Sequence, residues 1–228
     1  MPVFYLSDQI VFPPPHFAEK SGLLAVGGDL SQKRLLAAYR KGIFPWYSKG
    51  DPILWWSPNP RLVLYPETLK ISKSLKKVIH KKQFHITFDQ AFHQVIQNCA
   101  EVRTENRRET WLVPEMISAY LSLHKSGYAH SVEAWQDGEL AGGLYGLALG
   151  KCFFGESMFS KQSNASKVAF FHLVNHLKAL DFQIIDCQVT TRHLLSFGAI
   201  EIQRAEFLKE LGKFLKAPTI KGPWKMAD

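Results

Sequence analysis

The stretch ELAGGLYGLALGKCFFGESMFSKQSNASKVAFFHLVNHLKALDFQIIDCQV, residues 139–189, decides the fold. Its first part predicts two strands, 139–149 and 151–159, with glycine between them. Its middle shows apolar residues at helical spacing and predicts a helix over 165–180, and its end predicts a strand over 182–189. A hairpin followed by a β-α-β unit indicates an α+β or α/β domain built on a mixed sheet.

The elements around this unit also alternate in type. Asp137-Gly138 is a strong hairpin signal that leads into the strand at residue 139. Before it the sequence predicts an amphipathic helix, a strand, two further helices and a strand, over residues 69–82, 85–88, 92–100, 114–126 and 131–135. After residue 189 we expect a short helix over 192–197, ended by Gly198, and a last strand over 199–203.

The first sixty residues differ from the rest, because they are rich in proline, glycine and tryptophan. One helix interrupts these turns: Asp29 or Ser31 can cap it, and Gly42 ends it. A segment of this kind predicts a small lobe packed against a larger domain. We therefore expect a small N-terminal domain over residues 1–60 and a larger domain over residues 61–228.

Composition excludes several classes of protein. The chain has 228 residues, of which 46% are hydrophobic and 21% charged, as in an ordinary globular domain. Apolar runs are far shorter than the ~20 residues of a membrane span, and the N-terminus lacks the pattern of a secretory signal. Three widely separated cysteines do not predict a disulfide framework. We expect a cytoplasmic protein that does not associate with a membrane.

The net charge of +8 is concentrated in one part of the chain. Residues 61–108 contain ten basic and four acidic residues, which accounts for +6 of the total. The predicted helix over 69–82 carries four lysines on the side opposite its apolar stripe: Lys70, Lys73, Lys77 and Lys81. These lysines are either an ordinary solvated face or a ridge that contacts phosphates with strongly salt-dependent binding, and the sequence leaves both open.

Common nucleotide and metal motifs are missing from the sequence. It contains neither G-x-x-x-x-G-K-[ST] nor G-x-G-x-x-G. His172 and His176 are four residues apart on a predicted helix, but no third ligand is evident, so we predict no metal site. No serine or cysteine stands in a known nucleophile motif. Nothing in the sequence therefore marks a cofactor site or a covalent nucleophile.

Two polar positions remain as candidates. Asp186 and Gln188 are two residues apart on an apolar strand, so they are expected to share a face, whereas Cys187 points away into the core. The aspartate is either functional or a structural group that caps the following loop. Glu156 lies among bulky apolar residues beside Gly155, an arrangement that suits a carboxyl group gripping a ligand's hydroxyl or amine.

At these residues the sequence closely resembles the leucyl/phenylalanyl-tRNA–protein transferase family. The resemblance covers nearly the whole chain except its last ten or so residues. The matching segments are 22–31 (GLLAVGGDLS), 42–46 (GIFPW), 51–58 (DPILWWSP), 110–111 (TW), 142–146 (GGLYG), 155–160 (GESMFS), 164–167 (NASK) and 185–188 (IDCQ).

The resemblance implies a fold and an activity. The fold is a small N-terminal domain plus a C-terminal acetyltransferase-like (GNAT-like) α/β domain with a mixed sheet. The activity moves Leu or Phe, and less readily Met, from aminoacyl-tRNA to proteins with N-terminal Arg or Lys and marks them for N-end rule degradation. The implied partners are Leu-tRNA, Phe-tRNA, Met-tRNA and those acceptor proteins, with no DNA partner.

The resemblance also implies roles for individual residues. Asp186 and Gln188 would be the catalytic pair, with Gln188 orienting the acceptor amine and Asp186 polarising or fixing Gln188 and stabilising developing positive charge. A pocket for the transferred side chain would be lined by Leu144, Phe153, Met158, Phe170 and Ile185. The aminoacyl-adenosine end would lie near Trp46, Trp111 and Glu156. Two departures from the family pattern are Glu109, where glycine is expected, and Leu144, where methionine is expected.

Two other functions remain as alternatives. An acyltransferase that uses an acyl-coenzyme A would share the fold, but the stretch over 160–166 lacks the glycines that usually cradle its pyrophosphate. A non-enzymatic tRNA-binding module would use the basic helix and the exposed aromatic residues, and would form no product.

Overall fold

The computed structural model describes residues 3–105 and 112–225. Its strands are β1 (Phe4–Leu6), β2 (Leu23–Gly27), β3 (Phe44–Pro45), β4 (Leu54–Trp56), β5 (Arg61–Leu64), β6 (His85–Phe88), β7 (Ala129–Gln136), β8 (Glu139–Leu149), β9 (Cys152–Ser160), β10 (Ile184–Gln188) and β11 (Ile200–Ile202). Its helices are α1 (Gln32–Tyr39), α2 (Lys73–His80), α3 (Phe92–Glu105), α4 (Pro114–Lys125), α5 (Ala165–Ala179), α6 (Arg192–Ser196) and α7 (Arg204–Phe214).

The strands form two mixed sheets. The four-stranded sheet has the order β1-β2-β4-β3, and the seven-stranded sheet has the order β11-β5-β10-β9-β8-β7-β6. Each contains one parallel pair, β1 with β2 and β9 with β10, among antiparallel neighbours. The predicted α+β class with a mixed sheet is confirmed. The acetyltransferase-like type and the domain boundary after residue 60 stay predictions.

The hairpin and the β-α-β unit form as predicted. Strand β8 has the predicted bounds, and β9 and α5 differ from theirs by one residue. Asp137 and Gly138 both have positive φ, 52° and 81°, as a two-residue turn of the type favoured in hairpins requires. Because β9 returns to β10 through α5, the two strands lie side by side and parallel.

Helix α2 is shorter than the predicted helix over 69–82. Its N-cap is Ser72, whose hydroxyl accepts a hydrogen bond from the backbone N–H of Leu75 at 3.2 Å. Lys70 lies before this cap, and its backbone N–H donates to the Phe197 carbonyl at 2.8 Å. The lysines therefore do not share one continuous helix: Lys70 precedes α2 and Lys81 caps its C-terminus.

Apolar side chains fill both faces of the seven-stranded sheet. On β9, Phe153 joins the core under α5, while its neighbour Phe154 joins the core formed with α3 and α4. That second core also includes Trp55 of the four-stranded sheet, so the two sheets share one apolar interior. Within the described residues, no helix is both long and apolar enough to span a membrane.

Candidate active site

The candidate site lies where two parallel strands, β9 and β10, stop pairing with each other. Strands β9 and β10 pair from Cys152 opposite Ile184 to Phe154 opposite Asp186, and their pairing ends there. Beyond this point β9 continues along β8 alone. Polar side chains that follow on either strand therefore face an opening in the sheet.

Glu156 and Gln188 meet across this opening. The Gln188 side-chain Nε2 donates a hydrogen bond to Glu156 Oε1 at 2.9 Å. The hydroxyls of Tyr39 and Tyr120 lie 2.7 and 2.8 Å from the two carboxyl oxygens of Glu156, and 2.6 Å from each other. Burial raises the pKa of Glu156 to about 8, although the hydrogen bonds from the tyrosines oppose this shift.

The number of hydrogens around Glu156 also points to a protonated carboxyl group. The two tyrosine hydroxyls and the carboxyl group of Glu156 make three mutual contacts at hydrogen-bond distance, and each contact needs one hydrogen. Tyr39 and Tyr120 supply two, and burial raises the pKa of both well above the ordinary value. A protonated carboxyl group supplies the third. Together with the pKa raised to about 8, this count favours the protonated form of Glu156 at pH 7.

The Gln188 backbone is held in an unusual conformation. Pairing between β10 and β5 is irregular between Asp186 and Gln188, and Gln188 has a φ of 63°, which is uncommon for a residue other than glycine. Its backbone N–H donates to Asp186 Oδ1 at 2.9 Å. The regular alternation expected for these two residues stops at Asp186, and a hydrogen bond from the Gln188 backbone to the Asp186 side chain connects them instead.

Asp186 is paired with a buried arginine. The Nε and Nη2 atoms of Arg61 donate to its Oδ1 and Oδ2 at 2.7 and 2.6 Å, a bidentate geometry. Both side chains are at most 1% exposed. The guanidinium carbon of Arg61 also lies 4.8 and 4.7 Å from the ring centres of Phe44 and Phe207. The carboxylate is thus fixed on a rigid support behind Gln188.

An apolar cavity of about 380 Å³ adjoins Glu156 and Gln188. Its lining includes both of these residues, Cys187 and residues from α5 and from the segment around α6. Burial raises the pKa of the Cys187 thiol, which therefore stays protonated. The five residues expected to form a side-chain pocket all line this cavity: Leu144, Phe153, Met158, Phe170 and Ile185.

Comparison with known proteins gives this arrangement a family. The model of the family "Leucyl/phenylalanyl-tRNA protein transferase" matches residues 63–212, and the model of its N-terminal domain matches residues 28–59. The chain belongs to the leucyl/phenylalanyl-tRNA–protein transferase family. It is therefore an enzyme of the transferase class, as the sequence predicted.

Named relatives agree along nearly the whole chain, and each is described as a leucyl/phenylalanyl-tRNA–protein transferase. The protein from Syntrophobacter fumaroxidans is 61% identical over 93% of this chain and 91% of its own length. The protein from Desulfatibacillum aliphaticivorans is 59% identical, over 99% and 97%. Among solved structures, the C-terminal domain of a putative lysylphosphatidylglycerol synthetase from Agrobacterium fabrum has a TM-score of only 0.40 at 11% identity, covering 70% of this chain and 52% of that one.

Of the remaining site predictions, Trp46 and the four lysines do not line the cavity. Trp46 is 44% exposed, and its carbonyl accepts a hydrogen bond from Trp56 Nε1 at 2.6 Å. Trp111 and Glu109 lie outside the described residues. The side chains of the four predicted phosphate-contacting lysines are exposed: Lys70, Lys73, Lys77 and Lys81.

Sequence analysis did not predict three residues that bond to Glu156 or Asp186 at the candidate site. Tyr39 and Tyr120 both lie on predicted helices, and their hydroxyls, which need partners when buried, were the available signal. Arg61 was counted with the basic stretch, but it is 1% exposed and does not belong to the charged surface. Its position directly before the apolar run Leu62-Val63-Leu64 was the only hint. Within residues 3–105 and 112–225, no three His, Cys, Asp or Glu side chains are grouped to hold a metal ion.

Proposed function

We propose that this transferase moves Leu or Phe, and less readily Met, from the 3′ end of aminoacyl-tRNA to the α-amine of proteins that begin with Arg or Lys. The product would enter N-end rule degradation in the cytoplasm. We also propose an acetyltransferase-like domain over residues 61–228 behind a small domain over residues 1–60. The observation that carries the activity is the apolar cavity with Gln188 at its edge, in a chain of this family.

The cavity suits the side chains named in this proposal. A volume of about 380 Å³ with walls of leucine, phenylalanine, methionine and isoleucine favours an apolar guest. Leu, Phe and Met are unbranched at Cβ and can enter a deep slot, whereas Ile and Val are widest at Cβ and would meet its mouth. One methylene discriminates by only ~1–3 kcal/mol, so shape must add to hydrophobicity in the selection.

The reaction needs positioning more than activation. An aminoacyl ester is already reactive, and an acceptor α-amine has an unperturbed pKa of about 7.7–8.0, so a substantial fraction is neutral at pH 7. The amine nitrogen forms a bond to the ester carbonyl carbon, the bond to the ribose oxygen breaks, and the amine proton ends on that oxygen. Gln188 contributes by holding the amine at the carbonyl, since orientation supplies much of the rate.

The contacts of Gln188 support this role. Glu156 engages its Nε2, so the side-chain Oε1 is directed to accept a hydrogen bond from the acceptor amine. A neutral Glu156 also leaves no competing negative charge to draw the amine away as an ammonium ion. Asp186 fixes Gln188 by accepting a hydrogen bond from the Gln188 backbone N–H, and Arg61 in turn fixes Asp186.

The proposal extends to the rest of the aminoacyl-tRNA. Trp46, Trp111 and Glu156 would surround the aminoacyl-adenosine end. The Trp46 ring contacts that of Trp56, with centres 5.6 Å apart, and its exposed part would stack on a base. The tRNA body would lie along the four exposed lysines: Lys70, Lys73, Lys77 and Lys81.

One incubation tests the proposal. The full chain is mixed with labelled Leu-tRNA and a peptide that begins with Lys or Arg, without ATP or added metal. We expect label at the peptide's N-terminus, and none on the same peptide when its N-terminus is acetylated. Leu-tRNA binding without any product would instead indicate the tRNA-binding module. Tight binding of coenzyme A in isothermal titration, without product, would indicate the acyl-coenzyme A alternative.

A further inference from the structure

The chain after α7 crosses the back of the aminoacyl cavity. We call residues 219–225 the C-terminal strap. The Thr219 hydroxyl accepts a hydrogen bond from the backbone N–H of Gly150 at 3.0 Å, and the Gly222 N–H donates to the Gly127 carbonyl at 3.2 Å. These contacts attach the strap to the turn after β8 and to the turn after α4. The strap lies beyond residue 212, where the family match ends.

Trp224 anchors the strap in the interior. Its side chain is 4% exposed, and its backbone N–H donates to Asp89 Oδ2 at 2.6 Å. Its indole ring stacks on the ring of His130, with ring centres 3.7 Å apart and planes inclined by 4°. His130 is itself held by the same carboxylate through Nδ1 at 2.8 Å. The position of the indole is therefore determined by both its backbone and its ring contacts.

The indole reaches the walls of the cavity from behind. Its ring centre lies 6.0 Å from that of Phe153, which lines the cavity, and 5.1 Å from that of His176. The Phe153 ring also packs closely over Gly146, since its atoms come within 2.6 Å of the place where a Cβ on Gly146 would stand. His176 follows Leu173, another lining residue, by about one turn of α5. Trp224 thus packs against a residue of the cavity wall without lining the cavity itself.

The indole Nε1 of Trp224 does not explain why a tryptophan stands at position 224. Within the described residues, the indole Nε1 is buried without a hydrogen-bond partner, which costs free energy that a phenylalanine would not incur. The advantage that remains is the size of the bicyclic ring. A large, rigid ring is what a fixed wall behind Phe153 requires.

We propose that Trp224 is a positioning residue that sets the depth of the aminoacyl pocket through Phe153, and so the preference between Leu and the longer Phe. This inference rests on the proposed function of the cavity. A smaller side chain at 224 lets the Phe153 ring move back and deepens the slot. The side chain of a transferred Phe then makes favourable contacts at the end of the slot that a transferred Leu is too short to make.

The test compares transfer from Phe-tRNA and from Leu-tRNA. The measured quantity is the ratio of kcat/KM for the two donors with one acceptor peptide. We expect Trp224→Leu to raise the Phe/Leu ratio by about 3–10-fold, below the range of a direct change in a pocket wall, since it acts through a neighbour. Trp224→Phe keeps the stacking ring and should restore most of the original ratio. If Trp224→Leu does not fold, the test is Trp224→Phe, in which we expect the Phe/Leu ratio to rise by about 2-fold.

A matched control separates positioning from general destabilisation. Trp55 of the four-stranded sheet is also buried, but its ring packs against Phe12 and it lines no part of the cavity. Trp55→Leu should lower stability and leave the Phe/Leu ratio unchanged. The inference is overturned if the Phe/Leu ratio is the same in the wild type, Trp224→Leu and Trp55→Leu. It is also overturned if Trp224→Leu and Trp55→Leu shift the ratio equally. Failure of the wild type to transfer either amino acid would contradict the proposed function instead.

A double-mutant cycle tests the route through Phe153. Phe153→Leu alone widens the slot and is expected to change the Phe/Leu ratio directly. When it is combined with Trp224→Leu, the two effects should not multiply, because the second substitution no longer has a ring to release. Multiplicative effects would show that Trp224 does not act through Phe153, and would contradict the inference.

Discussion

The guanidinium group of Arg61 and the carboxylate of Asp186 face each other in a bidentate ion pair, with contacts of 2.7 and 2.6 Å and almost no exposure to solvent. The pair lies directly behind Gln188, whose backbone N–H donates to the same carboxylate. A charge at a proposed catalytic strand is thus neutralised by an arginine that is 125 residues away in sequence. We therefore expect that removing either charge affects folding as well as the proposed catalysis.

Asp186→Ala leaves the Arg61 guanidinium buried without its counter-ion. We expect the free energy of unfolding to fall by about 3–5 kcal/mol, as when one member of a buried ion pair is removed. Urea denaturation measures this change. Transfer should also be slow, because Gln188 loses the acceptor for its backbone N–H.

The control is the double variant Arg61→Leu/Asp186→Leu. Because both charges are gone, it should recover at least half of the lost stability while transfer stays slow. A double variant that is less stable than Asp186→Ala would contradict the account of this pair.

Gln188→Ala removes the group proposed to orient the acceptor amine. We expect kcat to fall by about 100-fold or more, the scale on which misplacement of a reacting group acts. The KM for Leu-tRNA should change little, because the side-chain cavity and the lysines remain. Steady-state kinetics with a Lys-initiated peptide measures both values. Gln183→Ala, just before the same strand, is the control, and similar kinetics in the two variants would exclude the role of Gln188.

Glu156→Gln tests whether the carboxyl group is neutral. Because the pKa of Glu156 is raised from its ordinary value of 4.5 to about 8, the folded state holds a proton that the unfolded state has lost. The wild-type free energy of unfolding should therefore fall as pH rises toward 8, with this group contributing a slope of about 1.4 kcal/mol per pH unit between these pKa values. The contribution is complete below pH 4.5 and lost above 8.

Glutamine cannot ionise, so Glu156→Gln should lack this part of the pH dependence and keep substantial activity at pH 7. Denaturation curves at pH 6, 7 and 8 for the wild type and the variant provide the comparison. Parallel pH dependences would mean that Glu156 is already ionised in the folded protein.

Met158→Ala enlarges the cavity at one wall. We expect a larger share of transfer from donors with bulkier side chains, by about 10-fold relative to Leu, because shape limits entry to the slot. Competition between labelled aminoacyl-tRNAs measures the preference. Met116→Ala is the matched control, since Met116 is buried in the other core and lines no part of the cavity. An unchanged preference in Met158→Ala would remove this residue from the pocket.

Replacing Lys73 and Lys77 together with alanine tests the phosphate ridge. We expect weaker binding of every tRNA by a similar factor, and a salt dependence of log K that is about 1–2 units less steep. Filter binding at several salt concentrations measures the slope. The control removes the same charge from exposed lysines of α7, Lys209→Ala with Lys213→Ala. If both pairs of substitutions weaken tRNA binding equally, the α2 lysines form an ordinary solvated face and not a specific phosphate contact.

Local patterns predicted the elements that depend on neighbours in sequence. Strand β8, helix α5 and the Asp137-Gly138 turn follow from periodicity and turn chemistry, which act over a few residues. Strand β5 was missed because all four of its residues are buried, so its sequence shows no alternation. The strands of the N-terminal sheet were missed because they are only two to five residues long.

The candidate site was predicted in part. Asp186, Gln188 and Glu156 stood out as polar residues in apolar strands, and a family resemblance implied the five cavity residues. Their partners could not be predicted, because Tyr39 and Tyr120 come from two different helices that only the folded core brings to Glu156.

The sequence by itself determined the α+β class, the hairpin with its β-α-β unit, the family and the chemical character of the site. These follow from residue spacing and from motifs, which the chain carries before it folds. Only the tertiary structure decided which groups share a proton and which charges neutralise each other. The bonds of Asp186 to Arg61 and of Glu156 to two tyrosines join residues far apart in the chain, and burial in the common core gives those bonds their strength.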